Sequence, residues 1–205
     1  MNPSPPPVSR KGRAEFNAGM DYRRLEAGDL PAVLALQEAN LLVNQTPEQR
    51  GQGFLSARFS AAQFTEMAAD VAVMVAEDAD GIAGYLCASS LAFNRSVPLL
   101  AAMIERFPDI QFLARPLGAQ RCLIYGPVCV AGSRRGSGVL RGLYAALRAE
   151  IAGDYDAGVL FIAKDNPRSF AAHADGLGMT PVGDFAFADG HYWILAFAVP
   201  PCAQR

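Results

Sequence analysis

Apolar positions along the chain change their period repeatedly, and each change marks an element. Residues 21–26 read as a short strand. Behind Asp29 as cap and Pro31 in the first turn, Leu30, Val33, Leu34 and Leu41 recur at helical spacing. Residues 43–59 are polar and glycine-bearing and predict a loop. Ser60 caps a second predicted helix over 61–69, with Phe64 and Met67 facing inward. Residues 71–77 and 82–93 predict two strands joined through Asp80-Gly81, a favoured hairpin pair. Pro98 then opens an apolar helix over 99–107, and a second apolar piece follows at 110–114.

An apolar run over 122–130 is broken by Gly126-Pro127. A helix follows, with Val139, Leu140, Leu143, Leu147 and Ile151 at 3.6-residue spacing. Residues 158–163 form another buried strand. Asn166-Pro167 opens a helix that Gly176 and Gly178 stop. Two strands over 179–188 and 191–199, joined near Asp189-Gly190, end the pattern. The predicted order is β α α β β, insert, β α β α β β. It fills one domain over 20–200 with an insert at 94–120, behind a proline-rich and then basic tail at 1–19 that predicts disorder.

Composition narrows the chemistry. Lys and Arg number 18 against 20 Asp and Glu, and this near-balance does not suggest a nucleic-acid partner. The four cysteines show no CxxC spacing and have two histidines to join them, which argues against a metal site. They predict buried free thiols in a reducing, cytoplasmic setting. The first residues lack the apolar core of a signal peptide, and no apolar stretch reaches the ~18 residues of a membrane span.

The densest chemistry lies at residues 121–150. A strand, a small cationic glycine-rich turn over 131–138 and a helix start form a phosphate-binding geometry. Glycines let the backbone approach an anion, and the first helical N–H groups point at it. Arg134 and Arg135 add forked donors suited to phosphate oxygens. A P-loop needs a lysine that this turn lacks, and Arg141 stands where a GxGxxG fingerprint needs its third glycine. The run Val130-x-x-x-x-Arg135-Gly136-Ser137-Gly138-Val139 resembles the pyrophosphate loop of the GNAT superfamily of acyl-CoA-dependent N-acyltransferases, with Leu140 in place of the final small residue. Asn166, Ser169, His173 and Gly178 are similar to a second GNAT motif, with one extra residue before Gly178 and Met179 in place of Phe.

That resemblance implies an α/β (α+β) fold: a mixed, mostly antiparallel twisted sheet of about six to seven strands, flanked by helices and splayed at its central strand. It implies acetyl-CoA as co-substrate, with no metal, and transfer of the acetyl group to a primary amine on a small molecule or peptide. Arg134, Arg135, Gly136, Ser137, Gly138 and Val139 would meet the phosphates. Val128, Cys129 and Val130 would pair with the pantetheine arm, Asn166 and Ser169 would lie beside it, and His173 would stand by the thioester sulfur as a proton donor. Tyr125, next to the strand break, is a second candidate for acid or water-positioning chemistry.

Plainer readings stand beside these. Asn166 is a helix cap in its own right, and His173 could flank a packed face three residues after Phe170. Cys129 reads as a small core residue. Gly142 predicts close packing, on the sheet or on the ligand. No carboxylate lies between Cys122 and Val130, so the base would be relayed by water or the amine would arrive uncharged. The apolar insert would pack beside the acceptor pocket or form a homodimer contact, and the resemblance implies that the first helix and the loop after it, residues 41–53, form the other acceptor wall. A non-catalytic acyl-CoA-binding module remains as one alternative. A short-chain dehydrogenase is another, since Gly132-x-x-x-Gly136-x-Gly138 fits its turn, although that turn belongs at a first strand.

Overall fold

The alternation of short strand runs with amphipathic helices resolves into a single seven-stranded sheet with helices on both faces. The structure, a computed structural model, describes residues 19–51 and 53–202, so the segment predicted as a disordered tail lies, Gly19 excepted, outside the described residues. The chain begins with β1 (Asp21–Arg24), α1 (Leu30–Asn40), a short α2 (Pro47–Arg50), α3 (Ala61–Asp70), β2 (Ala72–Asp78) and β3 (Gly81–Ser90). α4 (Leu91–Asn94) leads into the insert, which holds α5 (Pro98–Ile104) and a minimal hairpin of β4 (Gln111–Phe112) and β5 (Arg115–Pro116). Then come β6 (Cys122–Val130), α6 (Val139–Glu150), β7 (Ala157–Ala163), α7 (Pro167–Leu177), β8 (Thr180–Phe187) and β9 (Gly190–Ala198).

The sheet order is β1-β2-β3-β6-β7-β9-β8, and β6–β7 is its one parallel pair. A dehydrogenase of the kind considered above needs a parallel, doubly wound sheet, so that alternative falls.

Three apolar layers hold the sheet. Beneath α6 and α7, Leu143, Tyr144 and Leu147 meet Leu86, Leu123, Tyr125 and Phe197. On the opposite face, Val33 of α1 and Phe64 and Met67 of α3 cover Val73, Val75 and Tyr85. The insert covers the remaining quarter, where Met103, Phe107, Ile110 and Leu117 pack on Ile124, Val159, Ile194 and Ala196. Much of its apolar content thus packs on the sheet, while Val97 and Leu113 stay exposed.

Local chemistry moved several predicted boundaries. The strand predicted over 82–93 stops at Ser90, because the Ser90 hydroxyl accepts the Phe93 N–H at 3.1 Å and caps α4 instead. Residues 99–107 divide into α5 and a 3-10 turn at Phe107–Asp109, since Pro108 cannot donate into a longer helix. The loop over 43–59 holds α2, capped by Thr46. Asp29 stands at the α1 N-cap without capping it: its carboxylate takes the Arg23 guanidinium at 2.6 and 2.8 Å and the Glu26 N–H at 2.8 Å. Ser60 and Asn166 cap their helices as predicted, through the N–H groups of Gln63 and Ser169.

Gly142 is explained by the sheet. A β-carbon there would lie 2.0 Å from Tyr22 Cζ, so the bare helix backbone makes room for a β1 side chain. Gly142→Ala should therefore lower the urea midpoint, because forcing an extra carbon into packed space costs about 1–3 kcal/mol. In a Tyr22→Ala background the sign should reverse, as about 1 kcal/mol of helix propensity returns without the clash.

Candidate active site

The centre of the sheet comes apart at Gly126-Pro127. Strands β6 and β7 pair at Cys122↔Ala157, Leu123↔Gly158 and Ile124↔Val159 and no further. Against β3, Tyr125 pairs with Ala88 and Val128 with Leu86, so Gly126 and Pro127 together oppose Cys87 in a bulge. Pro127 has no N–H to give, and Gly126 sits at φ +110°, where a β-carbon is disfavoured. Beyond the bulge β6 pairs on one side only. Ala131 N–H donates to Ala83 on β3, and backbone groups alternate along a strand, so Cys129 also faces β3. The N–H and C=O groups of Val128 and Val130 then face the opening.

The opening is a cleft of about 710 Å³. Val128, Cys129 and Val130 form one wall. Asn166 at the α7 cap and Ser169 and His173 of α7 form the other, and Arg134, Arg135, Gly136, Gly138 and Val139 line the end at the start of α6. Asn40, Gly51, Gly53, Phe54 and Leu55 line it too, so the segment predicted as an acceptor wall in part lines this same cleft. Ser137 turns away: it is exposed, and its hydroxyl closes the loop by donating to the Arg134 carbonyl at 2.6 Å. Tyr125 lies behind the wall, in the core. None of residues 94–120 reaches the cleft.

The cationic end differs from the sequence expectation. Arg134 pairs with Asp78 at 2.7 Å and with Asp80, both at the β2–β3 turn. Arg135 points inward, its Nε donating to the Val130 carbonyl at 3.3 Å and its NH2 to Asn40 Oδ1 at 2.6 Å. Backbone donors also face this end. Gly138 opens α6 at φ +93° with no side-chain cap, so the first-turn N–H groups point out of the helix toward the cleft. Arg141 and Arg168, neither of them a site candidate from the sequence, also line the cleft, each in the first turn of its helix. Proximity to a predicted helix start was the signal that could have found them. Among the described lining residues there is no carboxylate.

The two residues singled out for proton chemistry meet. His173 Nδ1 lies 2.8 Å from the Ser169 carbonyl, an acceptor, so Nδ1 carries the hydrogen of the neutral ring. Nε2 then accepts from the Tyr125 hydroxyl at 3.3 Å. Burial pushes His173 below its ordinary 6.5, against the opposing bond to Ser169. Burial, with Tyr144 nearby, pushes the Tyr125 phenol well above its ordinary value. At neutral pH the pair is uncharged. Cys129 is no nucleophile: burial pushes its thiol up to about 12 despite the neighbouring Arg135.

No sequence-family profile matches the chain, and no curated protein does. Solved structures do. An N-acetyltransferase from Staphylococcus aureus superposes at a TM-score of 0.58 with 17% identity, covering 89% of this chain and 99% of its own. The ribosomal-protein-S18-alanine N-acetyltransferase of Escherichia coli superposes at 0.57 with 12% identity, covering 90% and 97%. A GNAT superfamily phosphinothricin acetyltransferase from Sinorhizobium meliloti, solved in complex with AcCoA, superposes at 0.55 with 17% identity, covering 92% and 93%.

The fold is the GNAT fold. Its mostly antiparallel sheet, with one parallel pair that opens at the centre, is the architecture that the loop and strand order predicted.

Two predictions follow from the titrating groups. As pH falls through 6.5, an unfolded chain binds a proton that buried His173 refuses, so its contribution to stability is complete above 6.5 and lost below. Asp29, Asp156 and Asp184, held low by Arg23, Arg121 and Lys164, lose theirs only below their ordinary 3.8. Urea midpoints measured from pH 7.5 to 5 should fall for the wild type and fall less for His173→Gln; equal slopes would remove His173 as the cause. Ellman's reagent should titrate exposed Cys202 in the folded protein and reach buried Cys87, Cys122 and Cys129 only after denaturation.

Proposed function

We propose that this chain is an N-acyltransferase that moves the acetyl group of acetyl-CoA to a primary amine. One observation carries it: an uncapped, glycine-opened helix start and the unpaired edge of a splayed strand share a single cleft. A long thioester with a charged end needs both. The pyrophosphate would take the N–H groups at the start of α6, with Arg141 and Arg168 adding charge at that end. The amides of the pantetheine arm would pair with Val128 and Val130 as an added strand.

The amine nitrogen attacks the thioester carbonyl, the C–S bond breaks, the thiolate gains a proton and the new amide loses one. No covalent enzyme intermediate is needed, which agrees with an inert Cys129. The Tyr125–His173 pair is our candidate for the proton that the departing thiolate takes, His173 at the cleft wall and Tyr125 behind it. With no carboxylate lining the cleft, the amine reaches the thioester uncharged or loses its proton to water. The similar structures include one named for a protein's alanine and one for a small molecule, so peptide and small-molecule amines both belong in an acceptor screen.

That missing carboxylate also supports a second reading, an acyl-CoA-binding module without turnover. Calorimetry separates the cases. Acetyl-CoA should bind and NADPH should not. Gly138→Ala should weaken acetyl-CoA about tenfold or more, because one charge-assisted hydrogen bond is worth about 1.5–3 kcal/mol. Release of CoA thiol with any member of an amine panel would then support the enzyme, and binding without release across the panel would support the module.

A further inference from the structure

Residues 53–55 cross the far side of the splay as a strap, tied to both walls. From the β6 side, Arg135 donates to the Gly53 carbonyl at 3.4 Å. From the α7 side, Asn166 Nδ2 donates to the Phe54 carbonyl at 3.4 Å. Leu55 is locked to the end of α1: its N–H donates to the Asn40 carbonyl and its carbonyl accepts the Leu42 N–H, each at 2.9 Å. Asn40 also aims Arg135, since its Oδ1 takes the guanidinium while its Nδ2 is held by the Leu36 carbonyl at 2.8 Å. Residues 53, 54 and 55, within the segment predicted to be a loop, are thus each held by a hydrogen bond.

The cleft runs through the sheet. Val128, Val130 and Val139 belong to the layer beneath α6 and α7, whereas Cys129 and Leu55 belong to the layer beneath α1 and α3. All five line the same cleft, together with half-buried Phe54. A ligand anchored at the α6 start and drawn along β6 reaches the strap as it passes through the splay. The surface it meets there is apolar and carries no charge from the strap.

We propose that Phe54 determines acyl-chain length: held on a strap pinned from both walls, it closes the channel beyond the thioester and restricts the donor to short acyl groups. This rests on the acyl-CoA reading above. Arg135 and Asn166 are positioning residues in this scheme, because they fix the strap that carries Phe54. A short acyl group ends before the ring. A six-carbon chain must displace it, together with the two hydrogen bonds that hold the strap.

The test is calorimetric titration of the full chain with acetyl-CoA and with hexanoyl-CoA. The wild type should bind hexanoyl-CoA about tenfold or more weakly than acetyl-CoA, as expected when a closed pocket meets added methylenes. Phe54→Ala should shrink that ratio of dissociation constants about tenfold, and Phe54→Trp should widen it. Phe54→Leu, a milder change, should shift the ratio in the Ala direction and guards against a variant that does not fold. A ratio that stays the same in all three variants while both ligands bind overturns the role of Phe54 alone. Failure of the wild type to bind either acyl-CoA overturns the acyltransferase reading and this inference with it.

Discussion

A missing backbone N–H in the middle of a sheet is the constraint on which this structure turns. Up to Ile124, β6 is an ordinary interior strand, bonded to β3 and β7. At Pro127 the ladder cannot continue, and the bulge that absorbs Gly126-Pro127 carries β6 away from β7. Polar backbone groups that an interior strand would pair with its neighbour strand are left facing an opening, where the Val130 carbonyl takes the Arg135 Nε–H and the rest lack a strand partner. A peptide-like ligand arm is one kind of partner for them. The helices hold the two halves apart: α6 packs on β1 to β3, α7 on β7, and the insert fills the back of the β7–β9–β8 half.

The electrostatics of the cleft follow from which charges the fold has already used. Arg134 is neutralised by the β2–β3 turn and Arg135 is directed to Asn40, so the two side chains that stand out in the sequence are both engaged within the protein, while the first-turn amides of α6 lack a side-chain cap. At the other end, burial keeps both Tyr125 and His173 uncharged. The pair also ties α7, which packs on β7, to β6 across the splay.

Much of this was legible in the chain. Strand and helix order, the glycine-rich turn, the Pro127 break and the caps at Ser60 and Asn166 are local matters, decided by period, turn chemistry and the first unpaired amides of a helix. They came out as predicted because each depends on residues within a few positions of one another. The predictions that shifted also had local causes, though ones that compete. Ser90 could continue a strand or cap a helix, and Asp29 could cap α1 or pair with Arg23; a pattern of apolar positions does not weigh these against each other.

What the tertiary structure decided concerns partners distant in sequence. The chain shows two arginines in a turn; only the fold shows Arg135 meeting Asn40, 95 residues away. It shows a glycine in a helix; only the fold shows Tyr22 filling the space above Gly142. Residues 53–55 carry no motif, yet contacts from Asn40, Arg135 and Asn166 make them a wall of the site. Sequence determines which backbone groups lack a partner and which side chains have one face apolar, because those follow from covalent structure and short-range sterics. Which distant group satisfies them depends on how the layers close over the sheet, and that is decided only when the chain has folded.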